Sequence, residues 1–556
     1  MKSRKKRDCW IYAICMMALA EAFSWFQPIY TNVDNFITSM VIGAVYDKDT
    51  YSMVLNPVLC WIMSAVGKVL PEADAFTLVT KIVLLAGIGS ISYFVALHFR
   101  HWPERLFAGA MLFLLTIEMN LFSDYFMVWA AFFTFVGMVW LLRSMKTEVH
   151  GSWIVAGTFF ICCGLMWRLG GFVPFIPFLL LGWGMDFLFG SRGKEEKLQY
   201  LKKTVRVFGP MIICFALLLG IDYGYKHSEK YEDSVNFCDV VSTIVDYPME
   251  DYETVEKLLP EPVTENDYNS LTNAVYADTE RITTEYCQQI ANVGKKDEIV
   301  INLKDIFQKT YSLVARLYGL KNFRVWCIGL VLLAFGILLS QVAWYEKLEI
   351  VFAGGGAYLM MLYLMLVGRL PERGMQVMLY AAMGIFLVRT ASIRNEKKIH
   401  RIKMLLTVVF LSLVSLDLPS ISFSGHQSLF TAKIGADEVK WEQTYEPEDA
   451  VYLWRTKEHR KCAMRDYMAQ GKLLSKSFMN HNLADGGWDF NQVYSKAQME
   501  RLGVPNPIRA LTERPHTYYV AEDCDAILTY IREHYDENVQ AIQVDELDGI
   551  PVWKFQ

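Results

Sequence analysis

Long apolar blocks separated by short polar loops run from the N-terminus to about residue 418. A hydrocarbon core of roughly 30 Å needs about 20 mostly apolar helical residues to cross it. On that criterion the blocks at about 10–27, 76–98, 106–123, 126–142, 152–168, 172–189, 207–225, 325–342, 350–368, 374–389 and 404–418 predict eleven membrane-spanning helices. Two further apolar stretches are shorter and differently patterned. Over about 33–46, Val33, Phe36, Ile37, Met40, Val41, Ala44 and Val45 recur at three- and four-residue spacing. That spacing puts one apolar stripe on a helix whose other face is polar, so the helix is expected to lie along the membrane surface. Over about 57–70, Asn56 is placed to cap a helix and Pro57 to occupy its first turn, with Pro71 ending it, again too short to span.

Charge gives these elements a direction. The basic N-terminus MKSRKKR leads into an apolar run that carries Glu21 and has no small-residue cleavage site, which reads as an uncleaved first helix with its basic end in the cytoplasm. Arg100 and Arg105, Arg143 and Lys146, SRGKEEKLQYLKK, Lys347 and SIRNEKKIHRIK then all fall on the cytoplasmic side. Counting 57–70 as a full span would break that agreement. Outward go the loop over about 28–75, an acidic helical segment over 226–322, and the tail over 419–556. In the tail, a helical run over about 448–470 precedes the turn-rich DGGW. The stretches HTYYV, DAILTYIREHY, NVQAIQV and PVWKF then read as strand, helix, strand and strand.

The expected fold is an α-helical polytopic membrane protein with two amphipathic surface helices, an extracytoplasmic helical segment and a small C-terminal α/β domain. Its parts are an N-terminal membrane module over 1–225, the helical segment over 226–322, C-terminal transmembrane helices over 323–418 and the α/β domain over 419–556. Composition agrees, with 53% hydrophobic and 20% charged residues. The net charge of −5 is too small to argue for any partner, and no nucleic acid is expected. Eleven cysteines include no CxxC and no paired Cys/His spacing, which argues against a zinc site. Cys238, Cys287, Cys462 and Cys524 lie in segments placed outside, where a disulfide is open.

Asp34, in TNVDNFI, follows the first span at the head of the surface helix. A carboxylate there is either a helix cap, or a general base acting at the outer surface or a ligand for a divalent cation. Asp47 and Asp49 follow in the same loop, Glu118 and Asp124 bracket the short second outer loop, and Arg168, Arg369 and Arg373 lie at the outer ends of spans. A guanidinium at such a position snorkels to lipid phosphates or clamps the phosphate of a lipid substrate.

The order of first span, acidic outer loop, two surface helices and next span resembles the GT-C superfamily of integral membrane glycosyltransferases. The residues that carry the resemblance are Val33-Asp34-Asn35-Phe36 and Leu55-Asn56-Pro57-Val58-Leu59-Cys60-Trp61. The resemblance covers about the first 190 residues, and beyond them only the architecture. It implies transfer of a sugar from a polyprenyl-phosphate donor to a glycan, lipid or protein acceptor at the outer face, with inversion. Asp34 is the position that matches the family's catalytic Asp. Many members carry two adjacent carboxylates there, where this chain has Asp34-Asn35. Asp124, Glu118, Asp47 and Asp49 would then serve the acceptor or a divalent cation, and Arg168, Arg369 and Arg373 the donor phosphate. The competing readings are a transporter or flippase of lipid-linked glycans and a non-enzymatic envelope-assembly protein.

Overall fold

The structure, a computed structural model, describes residues 2–24, 51–70, 75–99, 102–117, 126–190, 193–259, 263–295, 302–392, 447–459, 480–547 and 549–556. Its membrane part opens with α1 (Lys2–Ser24), α2 (Pro57–Val69), α3 (Ala75–His98), α4 (Trp102–Ile117), α5 (Phe126–Lys146) and α6 (Gly151–Trp167). A broken helix follows, made of α7 (Leu169–Phe172), a 3-10 turn (Val173–Phe175), α8 (Ile176–Met185) and a π turn (Asp186–Gly190), and then α9 (Lys194–Lys226). Outside this group come α10 (Glu232–Asp246), α11 (Tyr252–Leu258), α12 (Glu265–Thr272) and α13 (Thr284–Gly294). The chain continues through α14 (Leu303–Gly319), α15 (Lys321–Leu338), α16 (Trp344–Leu366) and α17 (Glu372–Thr390).

Among the described residues, five stretches are long and apolar enough to cross a membrane: α3, α5, the broken helix Leu169–Gly190, α9 and α16. The other expected spans fall on helices that are shorter or carry more charge, and 404–418 and the surface helix at 33–46 lie outside the described residues. Helix α2 is 13 residues long, about 20 Å of rise, and stops short of spanning as its sequence predicts.

Helices α5 and α17 form the centre of the bundle. All residues from Val128 to Leu142 and from Gly374 to Thr390 are buried, and the two helices pack together. A helix that is apolar all round belongs in such an interior. Where α5 meets α6, Gly137 faces Gly157 so closely that a Cβ on Gly137 would stand 2.6 Å from the Gly157 carbonyl oxygen. Small residues at this crossing let two backbones touch, which favours helix association in lipid. Gly171 does the same for α7, since a Cβ there would stand 2.6 Å from the Ala130 Cβ.

The tail holds β1 (Val451–Trp454), β2 (Asn482–Ala484), α18 (Val493–Leu502), α19 (Pro507–Glu513), β3 (Thr517–Val520), α20 (Asp525–His534), β4 (Ala541–Leu547) and β5 (Ile550–Phe555). They form one sheet in the order β2-β1-β3-β5-β4. Strands β2, β1 and β3 are parallel, and β5 pairs antiparallel with both β3 and β4. The expected helical run over 448–470 is corrected at its start, where VYLW forms β1 and all four of its residues are buried. A short apolar run has the same pattern in a buried strand as in a buried helix. Trp454 is core, its Nε1–H donating to Asn482 Oδ1 at 2.6 Å.

The helices α10 to α13 do not stand apart from the tail. Phe237, Val241, Leu271, Tyr276 and Ile290 share one hydrophobic core with Leu453, Phe490, Ile527 and Ile531. Polar links reinforce it. The Tyr276 N–H donates to the Asp485 carbonyl at 2.8 Å. The buried Asp278 carboxylate accepts from Asn506 Nδ2, Tyr530 OH and Tyr535 OH. The described residues of 226–295 and of 447–556 therefore form one extramembrane body. Cys238, Cys287 and Cys524 are free thiols within it, and Cys462 lies outside the described residues.

Candidate functional site

The described chain resumes after the first acidic loop at Tyr51, and the segment from Tyr51 to Asn56 is fastened by backbone and side chain alike. Asn56 caps α2, its Oδ1 accepting the Val58 N–H at 3.1 Å with Pro57 in the first turn. Its own N–H donates to the Met166 carbonyl at 2.8 Å and its Nδ2 to the Leu218 carbonyl at 2.9 Å. One residue thus starts a helix and ties the loop exit to the end of α6 and to α9. Trp61 Nε1–H donates to Tyr225 OH at 3.1 Å, and the Tyr51 ring packs between Tyr225 and Tyr231 at 5.3 and 4.8 Å. The Tyr51 hydroxyl and Ser52 Oγ are buried with no hydrogen-bond partner among the described residues. Burial first, then the Asp222 carboxylate, push the Tyr51 phenol well above its ordinary range.

Two residues beyond Met166, the chain breaks its helix at Arg168, which is extended (φ −169, ψ 123) between α6 and α7. Its N–H still closes α6 onto the Gly164 carbonyl at 3.1 Å, and its carbonyl accepts the Gly171 N–H at 3.0 Å. The guanidinium carbon stands 5.4 Å from the centre of the Phe126 ring. It also lies close enough to Cys238 of α10 to act on that thiol. Burial pushes the thiol up to about 11, with Asp239 and Asp489 adding to the rise and Arg168 opposing it. Arg168 therefore sits where the loop exit, the helix break and the extramembrane body meet.

Arg369 is differently placed. It ion-pairs with Asp246 at the end of α10 and lies 4.6 Å over the Tyr247 ring. Gly368 before it takes a positive φ of 78°, and a Cβ there would meet Pro248 at 3.4 Å. Leu370 after it accepts from Arg316 Nη1 at 2.8 Å. This turn docks the body onto the membrane helices, and Arg373 follows in the first turn of α17. Asp34, Asp47, Asp49, Glu118 and Asp124 lie outside the described residues.

No protein family, curated protein or solved structure matches this chain. Any functional reading therefore rests on its own residues.

The carboxylate beside the described part of the loop exit, Asp222, pairs with Lys226 at 2.8 Å. Among the described residues, Asp267, Glu533 and His534 form a group close enough to share an ion. They lie in the extramembrane body and are already bonded, His534 Nε2 to Asp267 Oδ1 at 2.6 Å and Glu533 Oε2 to the Thr264 hydroxyl at 2.9 Å.

One cluster is absent from the sequence expectations. Arg389, near the end of α17 and 1% exposed, bonds Glu346 Oε1 at 2.6 Å and Asp186 Oδ1 at 3.0 Å, and ion-pairs with Glu349, also 1% exposed. Lys146 Nζ adds a contact of 2.5 Å to Asp186 Oδ2. Two cations and three carboxylates thereby join α5, the π turn, α16 and α17. From Arg373 to Arg389 is 16 residues, about 24 Å of helix, so this clasp lies at the opposite end of the bundle from Arg369 and Arg373. The signal in the sequence is an arginine closing an otherwise apolar run, LYAAMGIFLVR.

Proposed function

We propose that this chain is a multi-pass membrane glycosyltransferase that moves a sugar from a polyprenyl-phosphate donor to a cell-surface acceptor. In this reading eleven helices span, the N-terminus is cytoplasmic, and the body built from 226–295 and the tail lies outside. The observation that carries it is the bond from the Asn56 N–H to the Met166 carbonyl, two residues from Arg168. It ties the exit of the loop bearing Asp34 to a cation at the end of a membrane helix. Transfer from a lipid phosphate requires a base and a phosphate clamp, and in this reading that loop supplies the first and Arg168 the second.

In the proposed reaction the Asp34 carboxylate takes the proton of an acceptor hydroxyl. The hydroxyl oxygen forms a new bond to the anomeric carbon from the face opposite the phosphate. The bond between that carbon and the phosphate oxygen breaks, and the polyprenyl phosphate leaves with the electron pair, so configuration inverts. The Arg168 guanidinium meets the charge that develops on the departing phosphate, where a preorganised cation contributes most. Arg373 and Arg369 are further candidates for that phosphate, Arg369 also pairing with Asp246.

The test is sugar transfer in membranes supplied with a radiolabelled polyprenyl-phosphate sugar, comparing the parent with Asp34→Asn. Loss of a general base costs about 100- to 10,000-fold. Equal transfer by the two proteins would remove Asp34 from the mechanism. The buried Arg389 clasp favours a second reading, a transporter of lipid-linked glycans, because ionisable groups kept within a helical bundle commonly mark a pathway. Movement of lipid-linked glycan across vesicles without transfer would favour that reading.

A further inference from the structure

We infer that α14 is a membrane-surface helix: its outer apolar stripe lies against the lipid of the leaflet next to the extramembrane body, and the helix does not cross. The helix has three faces. Leu303, Phe307, Tyr311, Val314 and Tyr318 recur at steps of four, four, three and four residues, so they share one stripe. All five are exposed, from 53% at Val314 to 76% at Tyr311. Beside that stripe a second face packs on the membrane helices. Leu313 is fully buried, Ile306 and Leu317 rest on the core, and the Thr310 carbonyl accepts from Tyr358 OH of α16 at 3.5 Å. The third face is polar and exposed, with Lys304, Gln308 and Lys309.

This division selects lipid as the occupant. A helix lying on the bilayer turns one arc to protein and lipid and the other to water, and α14 has that composition. The stripe is continuous with surface already in lipid, because α14 is joined through Leu320 alone to the apolar α15 and packs against the spanning α16. The exposed Leu359 and Tyr363 lie on that part of α16. Basic residues predominate along the run, Lys304, Lys309, Lys321 and Arg324 against Asp305, and suit anionic headgroups.

A crossing is also at odds with the proposed arrangement of spans. Residues 226–295 and the tail share one core, so the chain between them must cross the membrane an even number of times. In the eleven-span reading proposed above, on which this count rests, helices α15, α16 and α17 with the apolar run at 404–418 supply four crossings. A crossing by α14 would make five and would put the two halves of a single core on opposite sides.

Two measurements on the full chain in phosphatidylcholine and phosphatidylglycerol vesicles test this. Phe307→Trp, read by fluorescence, is expected to lose more of its added emission when the lipids carry bromine near the headgroup end of their chains than when they carry it near the chain ends. No quenching, or stronger quenching from the chain ends, overturns the inference. Lys304→Cys and Gly319→Cys, each at an exposed position, are treated with an impermeant maleimide and read by peptide mass spectrometry. Labelling of both from the same side is expected, and labelling from opposite sides means that α14 crosses.

Discussion

Asn56 makes three bonds from one position. It caps α2, holds the Met166 carbonyl and holds the Leu218 carbonyl. Replacing it by Ala removes the side-chain cap and the bond to Leu218, and the cap alone is worth about 0.5–2 kcal/mol. Asn56→Ala is therefore expected to lower the melting temperature in detergent, while Asn56→Asp keeps the cap acceptor and recovers part of the loss. The cap was legible because it depends on neighbours in sequence. Asp485 is the opposite case. It is fully buried, accepting from the Thr456 N–H and hydroxyl at 2.9 and 2.7 Å and from Tyr519 OH at 3.0 Å. Burial outweighs those bonds and pushes its carboxyl up to about 6 from an ordinary 3.8. Between those values the folded protein holds the proton more tightly than the unfolded chain. The stabilisation from the neutral form is thus complete below about pH 4 and is lost as pH rises through about 6. That loss is on the order of 3 kcal/mol. Measured as the difference in unfolding between the parent and Asp485→Asn from pH 4 to 7, the parent should lose stability relative to the variant. A constant difference would show that Asp485 does not titrate in that window. Nothing local marks this residue, since its partners are 29 and 34 positions away.

At the scale of elements, hydrophobic pattern gave the helices and misjudged β1. VYLW is as compatible with a helix as with a strand until β2 and β3 flank it on both sides. The Arg389 clasp was also hidden, because its five charges sit at the ends of separate apolar runs and only packing brings them together. Buried ion pairs contribute little net stability when intact and much when broken singly. Arg389→Met leaves Glu349 and Glu346 without their cation and is expected to cost about 3–5 kcal/mol. The double replacement Arg389→Met with Glu349→Met should recover most of that loss, read as thermal unfolding in detergent. If the single and double variants unfold alike, the clasp does not hold α16 to α17.

At the scale of the whole molecule, two segments more than 150 residues apart in sequence make one body outside the membrane helices. Pattern alone could assign each to the aqueous phase but could not pair them, since the pairing rests on contacts such as Tyr276 with Asp485 and Asp278 with Tyr530. The body rests on the membrane helices partly through Asp246 and Arg369, and it reaches Arg168 through Cys238. That arrangement separates two arginines which look equivalent in the sequence. Arg369 docks the body, whereas Arg168 stands at the loop exit. The most direct test is turnover of a polyprenyl-phosphate sugar by purified protein in vesicles, comparing the parent, Arg168→Gln and Arg369→Gln. The account predicts transfer by the parent, a fall in kcat of about 100- to 1,000-fold for Arg168→Gln, and a much smaller fall for Arg369→Gln. No transfer by the parent, or equal turnover by the parent and Arg168→Gln, would contradict it.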